Sequence, residues 1–348
     1  MSKIQWTDAT WNPLAGCSIV SPGCARCYAM RQAHRLEHNF KQTKYAGTTT
    51  KVNGKPIWTG KVNLDEAALQ IPLKRRRPTR YFVNSMSDLF HEAVPDQIID
   101  RVCAVMALCP QHTFQVLTKR AERMCLYMTV ARQAHPSFMD QTSPCSTEDC
   151  VDAERDNVII PYGHMGDDPS NLVRLKPMPW PLPNVWLGVS VEDQKRADER
   201  IPWLLKTPAE VRFVSAEPLL GPIDLQGVPC NQNHPEDYST RLGALLKDAH
   251  GVGIHWVIIG GESGPGARRC DLNWIRSLVR QCRAAGVPAF VKQVGAKPIL
   301  GCPPGEEKEE QFREDGSARY WTLGMIKDPK GGDMSEWPAD LRAREWPR

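Results

Sequence analysis

Hydrophobic and polar positions alternate along this chain in two repeating patterns. Short, nearly continuous runs of β-branched and aromatic residues are followed by stretches with apolar positions at helical spacing. Residues 80–88 form the first such run, and Ile98, Ile99, Val102, Val105 and Met106 then mark one face of a helix predicted over 95–109. Pro95 suits the first turn of that helix, where a missing N–H has no partner to lose. The same pair recurs as a strand over 113–120 with a helix over 121–132, and as a strand over 184–192 with a helix over 193–206. Strands over 211–217, 255–263 and 289–293 complete a set of six, and the helix over 272–285 follows the second of these. Asp271 is placed to cap that helix and Gly286 to end it. Ahead of the series, residues 4–13 read as a short strand or extended arm, 45–60 as a polar, glycine-rich loop, and 64–73 as a helix.

Near-continuous apolar strands separated by amphipathic helices predict a parallel sheet with covered faces. Each predicted strand turns hydrophilic at its C-terminal end, at Asn84, Ser85 and Asp88, then Thr118, Lys119 and Arg120, then Ser190 and Glu192. Ser215 and Glu217, Glu262 and Ser263, and Lys292 and Gln293 continue the series. In a (β/α) barrel such ends converge on one mouth, where active sites lie. Helix capping and loop solvation account for part of this pattern, but not for ionisable groups at nearly every end. The expected class is α/β, a partial (β/α) barrel over residues 1–300 with insertions near 135–183 and 226–253 and an extension over 301–348 packed on it.

Composition narrows the setting. A chain of 348 residues can bury a barrel-sized core, and 44 basic against 40 acidic side chains give +4, too mild a charge to demand nucleic acid. No apolar run has membrane-spanning length and the first six residues carry no signal-peptide pattern, so a cytoplasmic protein without membrane contact is expected. In that compartment twelve cysteines do not make a disulfide framework. Cys103, Cys109, Cys125 and Cys282 fall in apolar helical patterns and read as core residues. Cys145 and Cys150, inside the first insertion, are either incidental thiols or ligands of a second metal.

Cys17, Cys24 and Cys27 are different. They are spaced C-x6-C-x2-C, with Pro22-Gly23 turning the chain before the second thiol. A disulfide would leave one of the three without a local partner, so the spacing asks for a metal. Thiolates select zinc, copper(I) or iron–sulfur clusters. A [4Fe–4S] cluster on three cysteines keeps one iron open, able to hold S-adenosylmethionine and pass an electron to its sulfonium. Alternatively, His34 closes a Cys3His zinc site, giving a zinc-stabilised nucleic-acid-binding or adaptor protein without catalysis. Under the first reading Asn84, Ser85, Ser190, Glu192, Glu217 and Glu262 are the cofactor-binding candidates, and Lys119, Lys292 and Asp88 the catalytic ones. His91-Glu92 offers an acid or base, or a helix cap. Residues 260–267 read as a loop approached by a phosphate or nucleoside, or as a tight strand-to-loop turn. The cationic run 74–80 is a solvated face or a phosphate contact.

Several stretches together resemble a widespread phage and prophage family of three-cysteine, radical-SAM-like proteins. They are residues 6–13, GCSIVSPGCARCYA (16–29), FVNSMSDLFHE (82–92), VLTKR (116–120), VWLGVSVED (185–193), FVSAEPLLGPIDL (213–225) and VIIGGESGPGAR (257–268). The resemblance runs from about residue 4 to 295. It implies a partial barrel of the radical-SAM type with Cys17, Cys24 and Cys27 as cluster ligands. It further implies S-adenosylmethionine as cofactor and an electron donor such as flavodoxin or ferredoxin; with the basic stretch 75–80, the lysines Lys119 and Lys292 and the phage context of the resemblance, a nucleic acid or nucleotide is the expected substrate. The superfamily at large uses C-x3-C-x2-C, and the longer first spacing here weakens the inference to adenosylmethionine cleavage.

Overall fold

The structure, a computed structural model, describes residues 4–40, 42–134, 180–229, 241–245, 252–300, 321–322 and 326–347. The chain divides into two compact units. One comprises Met1–Ser18, Ala29–Leu187 and Thr207–Glu210, the other Ile19–Tyr28, Gly188–Lys206 and Val211–Arg348.

In the first unit the opening segment is indeed a strand, β1 (Ala9–Trp11), followed by β2 (Leu14–Ala15) and helix α1 (Tyr28–Phe40). The stretch expected to be a loop is instead an antiparallel hairpin of β3 (Thr49–Val52) and β4 (Lys55–Trp58). Asn53 and Gly54 both take positive φ, 49° and 74°, as a two-residue hairpin turn requires. After β5 (Asn63–Leu64) the single helix expected at 64–73 is two short ones, α2 (Glu66–Leu69) and α3 (Ile71–Lys74). Asp65 caps the first by accepting the Ala68 N–H at 3.0 Å, and Pro72 sits in the opening turn of the second.

Then come β6 (Arg80–Val83), α4 (Asp96–Ala107), β7 (Thr113–Thr118) and α5 (Ala121–Ala134). Pro95 is the N-cap of α4, and the predicted apolar face, Ile99, Val102, Val105 and Met106, is buried. β6 pairs in parallel with β1 and with β7. Trp11, Tyr81 and Phe114 pack together on one face, with ring centroids 5.4 Å apart for Trp11–Phe114 and 5.6 Å for Tyr81–Phe114.

The second unit holds the last residues of β8 (Val185–Ser190), α6 (Gln194–Lys206), β9 (Val211–Ala216) and the short pair β10 (Val228–Pro229) and β11 (Arg241–Leu242). β12 (Trp256–Gly260), β13 (Cys270–Asp271), α7 (Leu272–Ala284), β14 (Ala289–Gln293), β15 (Pro298–Leu300) and β16 (Trp321–Thr322) follow. β12 is buried throughout and pairs in parallel with β9 and β14. Asp271 caps α7 through the Asn273 N–H at 2.8 Å, and Gly286 follows its end at φ 67°, both as expected. Further on, Trp337 and Leu341 are buried. Ala343 accepts a 2.8 Å bond from the Val291 N–H, and Arg344 bridges Phe290 in antiparallel sense, so the tail borders β14.

The main sheet has seven strands in the order β1-β6-β7-β8-β9-β12-β14, and the boundary between the units falls inside β8. Among the described residues helices intervene between β6 and β7, β7 and β8, β8 and β9, and β12 and β14, the strand–helix order of a (β/α) sheet, whereas only β10 and β11 lie between β9 and β12. Among the described residues no helix is long and apolar enough to cross a membrane. Residues 135–179, with Cys145 and Cys150, lie outside the described set, as do 230–240, 246–251 and 301–320.

Candidate functional site

Cys17 belongs to the first unit. The chain reaches it from β2 through Gly16, at φ 105°, where a Cβ would stand 2.1 Å from the Lys61 carbonyl oxygen. Only glycine passes there. Arg120, just beyond β7, brings a guanidinium nitrogen to 3.8 Å from the Cys17 sulfur and donates to Ser18 Oγ at 2.6 Å. Its other contacts are Asp88 at 3.1 Å and Glu92 at 2.8 Å. Burial opposes the Arg120 charge, but Asp88, Glu92 and Cys17 outweigh it and raise the pKa, so the guanidinium stays charged.

Asp88 also accepts from the Phe90 N–H at 3.0 Å, Thr118 Oγ1 at 2.7 Å and the Lys119 N–H at 3.1 Å. It therefore ties the loop after β6 to the end of β7. His91 Nδ1 accepts the Ala93 N–H at 3.0 Å, which leaves Nε2–H to donate to Ser18 Oγ at 3.0 Å. Burial, reinforced by Arg120, pushes the His91 pKa down and keeps the ring neutral. In that tautomer His91 is a donor to Ser18, so the two do not form a base–nucleophile pair.

Cys24 and Cys27 belong to the second unit. Pro22–Cys24 makes a single 3-10 turn, with the Cys24 N–H on Ser21 O at 2.9 Å and the Cys27 N–H on Cys24 O at 3.0 Å. Two carboxylates past strand ends bear on this turn. Glu192, beyond β8, accepts the Gly23 N–H at 3.0 Å while its other oxygen meets Arg200 at 3.0 Å. Any Cβ at Gly23 would lie 3.0 Å from the Glu192 carboxylate, so the close approach depends on glycine. Glu262, beyond β12, is clamped by Arg268 at 2.6 and 2.9 Å, and Arg268 donates a further bond to Pro22 O at 2.9 Å. Although burial works the other way, Arg268 and then Arg26 hold the Glu262 carboxyl below the usual carboxylate range.

The remaining predicted residues fall into two further groups. Ser190 donates to the Glu217 carbonyl at 3.2 Å, and the Glu217 carboxylate meets Lys292 Nζ at 2.5 Å. Asn84, buried at φ 58°, accepts the Leu14 N–H at 3.4 Å, and Ser85 donates to Asn12 at 3.1 Å; both brace the segment between β1 and β2. Lys119 engages Asp88 through its backbone. In the 260–267 segment, a Cβ on Gly261 would stand 2.5 Å from Val294 O, so this glycine makes room for the chain itself and serves a tight turn. His34 places Nδ1 3.1 Å from Thr49 Oγ1 and stacks on His38 at 3.9 Å.

Among the described cysteines, none of them in a disulfide, Cys103, Cys109, Cys125, Cys270 and Cys282 are buried, and burial pushes Cys103, Cys109, Cys270 and Cys282 up to about 12. Cys17 and Cys27 are half-buried and Cys24 is 9 % exposed. Donor chemistry thus fits a thiophilic metal, with Cys17 and Cys27 partly open to solvent and Cys24 buried. Among the described residues, however, no three His, Cys, Asp or Glu side chains are already drawn into a metal-binding group. The parts that sequence reading missed are arginines: Arg200 and Arg268 as anchors of the turn, and Arg120 as the partner of Cys17. A buried arginine carries no mark in sequence; only the polar strand ends pointed to Arg120.

Fold and site together define an α/β protein of parallel-sheet type with a cysteine-bearing turn held against strand C-termini. The chain belongs to a family described as "Protein of unknown function (DUF5131)", whose model matches residues 1–318. No curated protein and no solved structure matches it.

Proposed function

We propose that this chain is an iron–sulfur enzyme of the radical-SAM type. In this reading Cys17, Cys24 and Cys27 ligate a [4Fe–4S] cluster, S-adenosylmethionine occupies the open iron, and the substrate is a nucleic acid or nucleotide. The supporting observation is the contrast among thiols: Cys17 and Cys27 of the C-x6-C-x2-C loop are half-buried, with Cys24 buried between them in the sequence, while the other described cysteines are all core residues. Cluster and cofactor would supply one-electron reduction of a sulfonium, with the electron arriving from a donor of the flavodoxin or ferredoxin class.

The chain's own residues orient and shield. Arg120 sets a positive charge beside the Cys17 sulfur. Glu192 fixes the Cys24 turn through Gly23, and Arg268 fixes it through Pro22. Lys292, paired with Glu217, is a cation at the strand ends able to meet a carboxylate or phosphate of the substrate.

Anaerobic reconstitution should give a brown protein with about four irons per chain, and reduction with S-adenosylmethionine present should release 5′-deoxyadenosine. Replacing Cys17, Cys24 or Cys27 by Ser should lose the iron, whereas His34→Ala should keep it. A colourless protein that loads zinc, and loses it with His34→Ala, would establish the zinc-stabilised alternative instead.

A further inference from the structure

A run of cations lies at the opposite end of β6 from Asp88. Lys74, Arg75, Arg76 and Arg77 are all exposed. β6 spans four residues, so at ~3.3 Å per residue the run stands at least ~13 Å along the strand from the Asp88 end. The backbone of the run is fixed. Arg75 leaves α3 in extended geometry, φ −98° and ψ 115°. Its N–H bonds Pro72 O at 3.1 Å, and its carbonyl takes a 3.4 Å bond from Gln111. The Arg77 carbonyl takes one from Thr79 Oγ1 at 2.9 Å.

Two carboxylates of this unit, Glu66 and Asp8, are already engaged by other arginines, although Asp8 also feels the Arg75 charge. Glu66 is engaged by Arg101 through both oxygens, at 2.9 and 2.7 Å. Asp8 is bound by Arg80 at 3.2 Å through its side chain and at 2.9 Å through its N–H. Among the described residues Lys74, Arg76 and Arg77 make no ion pair. Four adjacent positive charges on a pre-formed ledge, three of them guanidinium groups suited to two-pronged phosphate contact, match a repeating phosphodiester.

We propose that Lys74, Arg75, Arg76 and Arg77 form a nucleic-acid backbone contact that grips the polymer at the end of β6 remote from Asp88. Phosphate contacts of this kind position a strand without reading its bases. An anionic membrane is the poorer match, because surface-seeking segments carry an amphipathic helix with a broad apolar face. Here α3 has four residues, and Ile71 is its one exposed large apolar side chain. The proposal deepens the substrate half of the reading above and rests on none of its metal chemistry.

The test is fluorescence anisotropy with the full chain, both metal-free and iron-reconstituted, against a short labelled single strand and a duplex of the same sequence. Vesicles rich in phosphatidylserine are measured alongside. Arg75→Gln, Arg76→Gln and Arg77→Gln combined should weaken polynucleotide binding at least ~10-fold at low salt and flatten the slope of log affinity against log salt by about 2 to 3. The thermal melt should not move. Equal affinity and slope in the variant, no binding to either polynucleotide, or vesicle binding in its place would overturn the proposal. Salt-sensitive binding by a protein that takes up no iron would leave this inference standing while removing the cluster reading.

Discussion

Arg120 gathers two carboxylates, a hydroxyl and a thiol around one guanidinium whose side chain is 6 % exposed. Removing one member of a buried pair strands the charge of the other. Arg120→Met should therefore destabilise the protein by about 3–5 kcal/mol, read as a shift in the urea midpoint. Arg120→Lys, which keeps the charge but loses the planar fork, should recover part of that loss. Equal stability of Arg120→Met and the parent would mean that Thr118 Oγ1 and the backbone donors suffice to hold Asp88. Sequence placed Arg120 at a strand end and went no further. Its burial follows from Asp88 and Glu92, more than two dozen positions upstream, reaching the same point in space, and no local spacing reports that.

At the scale of elements, the strands were legible because apolar runs such as Val257 to Ile259 and Phe213 to Val214 have one use, and α4 because its apolar positions keep helical period. The hairpin of β3 and β4 was hidden by polar residues, Thr49, Thr50, Lys51 and Lys55, since this ribbon is largely exposed. Its Asn53-Gly54 dipeptide was the available signal. The cysteine turn stood out in the sequence by its spacing, but its anchoring did not, because its anchors arrive from β8 and β12.

One of those anchors makes the turn sensitive to acid. The folded Glu262 pKa is held below its ordinary value, so its contribution is complete above that ordinary value and is lost as pH falls through the folded one. Hydrogen exchange over residues 19–28 and at the Arg268 amide should accelerate on acidification, and Glu262→Gln should show that faster exchange already at neutral pH. Protection that does not depend on pH would dissociate the turn from Glu262. Gly261→Ala drives a Cβ against the backbone of Val294 and Gly295. A cost of about 1–3 kcal/mol is expected, at the level typical of overpacking, measurable by thermal melt.

On the scale of the whole molecule, the alternating strand–helix order was fully foreshadowed and the division inside β8 was not, since β8 reads as one unbroken apolar run. The tail's placement was equally invisible. Its charged and proline-rich sequence gives little sign that Trp337 and Leu341 are buried or that Ala343 and Arg344 border β14. An uncovered strand edge is a template for unwanted pairing. Truncation after residue 325 should therefore produce concentration-dependent oligomers in size-exclusion chromatography, and an unchanged elution profile would show that the edge is protected by other means.

The same bordering contact sets a constraint on biosynthesis. Val291 hydrogen-bonds a carbonyl 52 positions later in the chain, at Ala343. At synthesis rates of about 5–20 residues per second, the emerging polypeptide waits seconds with the flank of its last sheet strand bare. During that interval chaperones, or a neighbouring nascent chain, compete for the place the tail later takes.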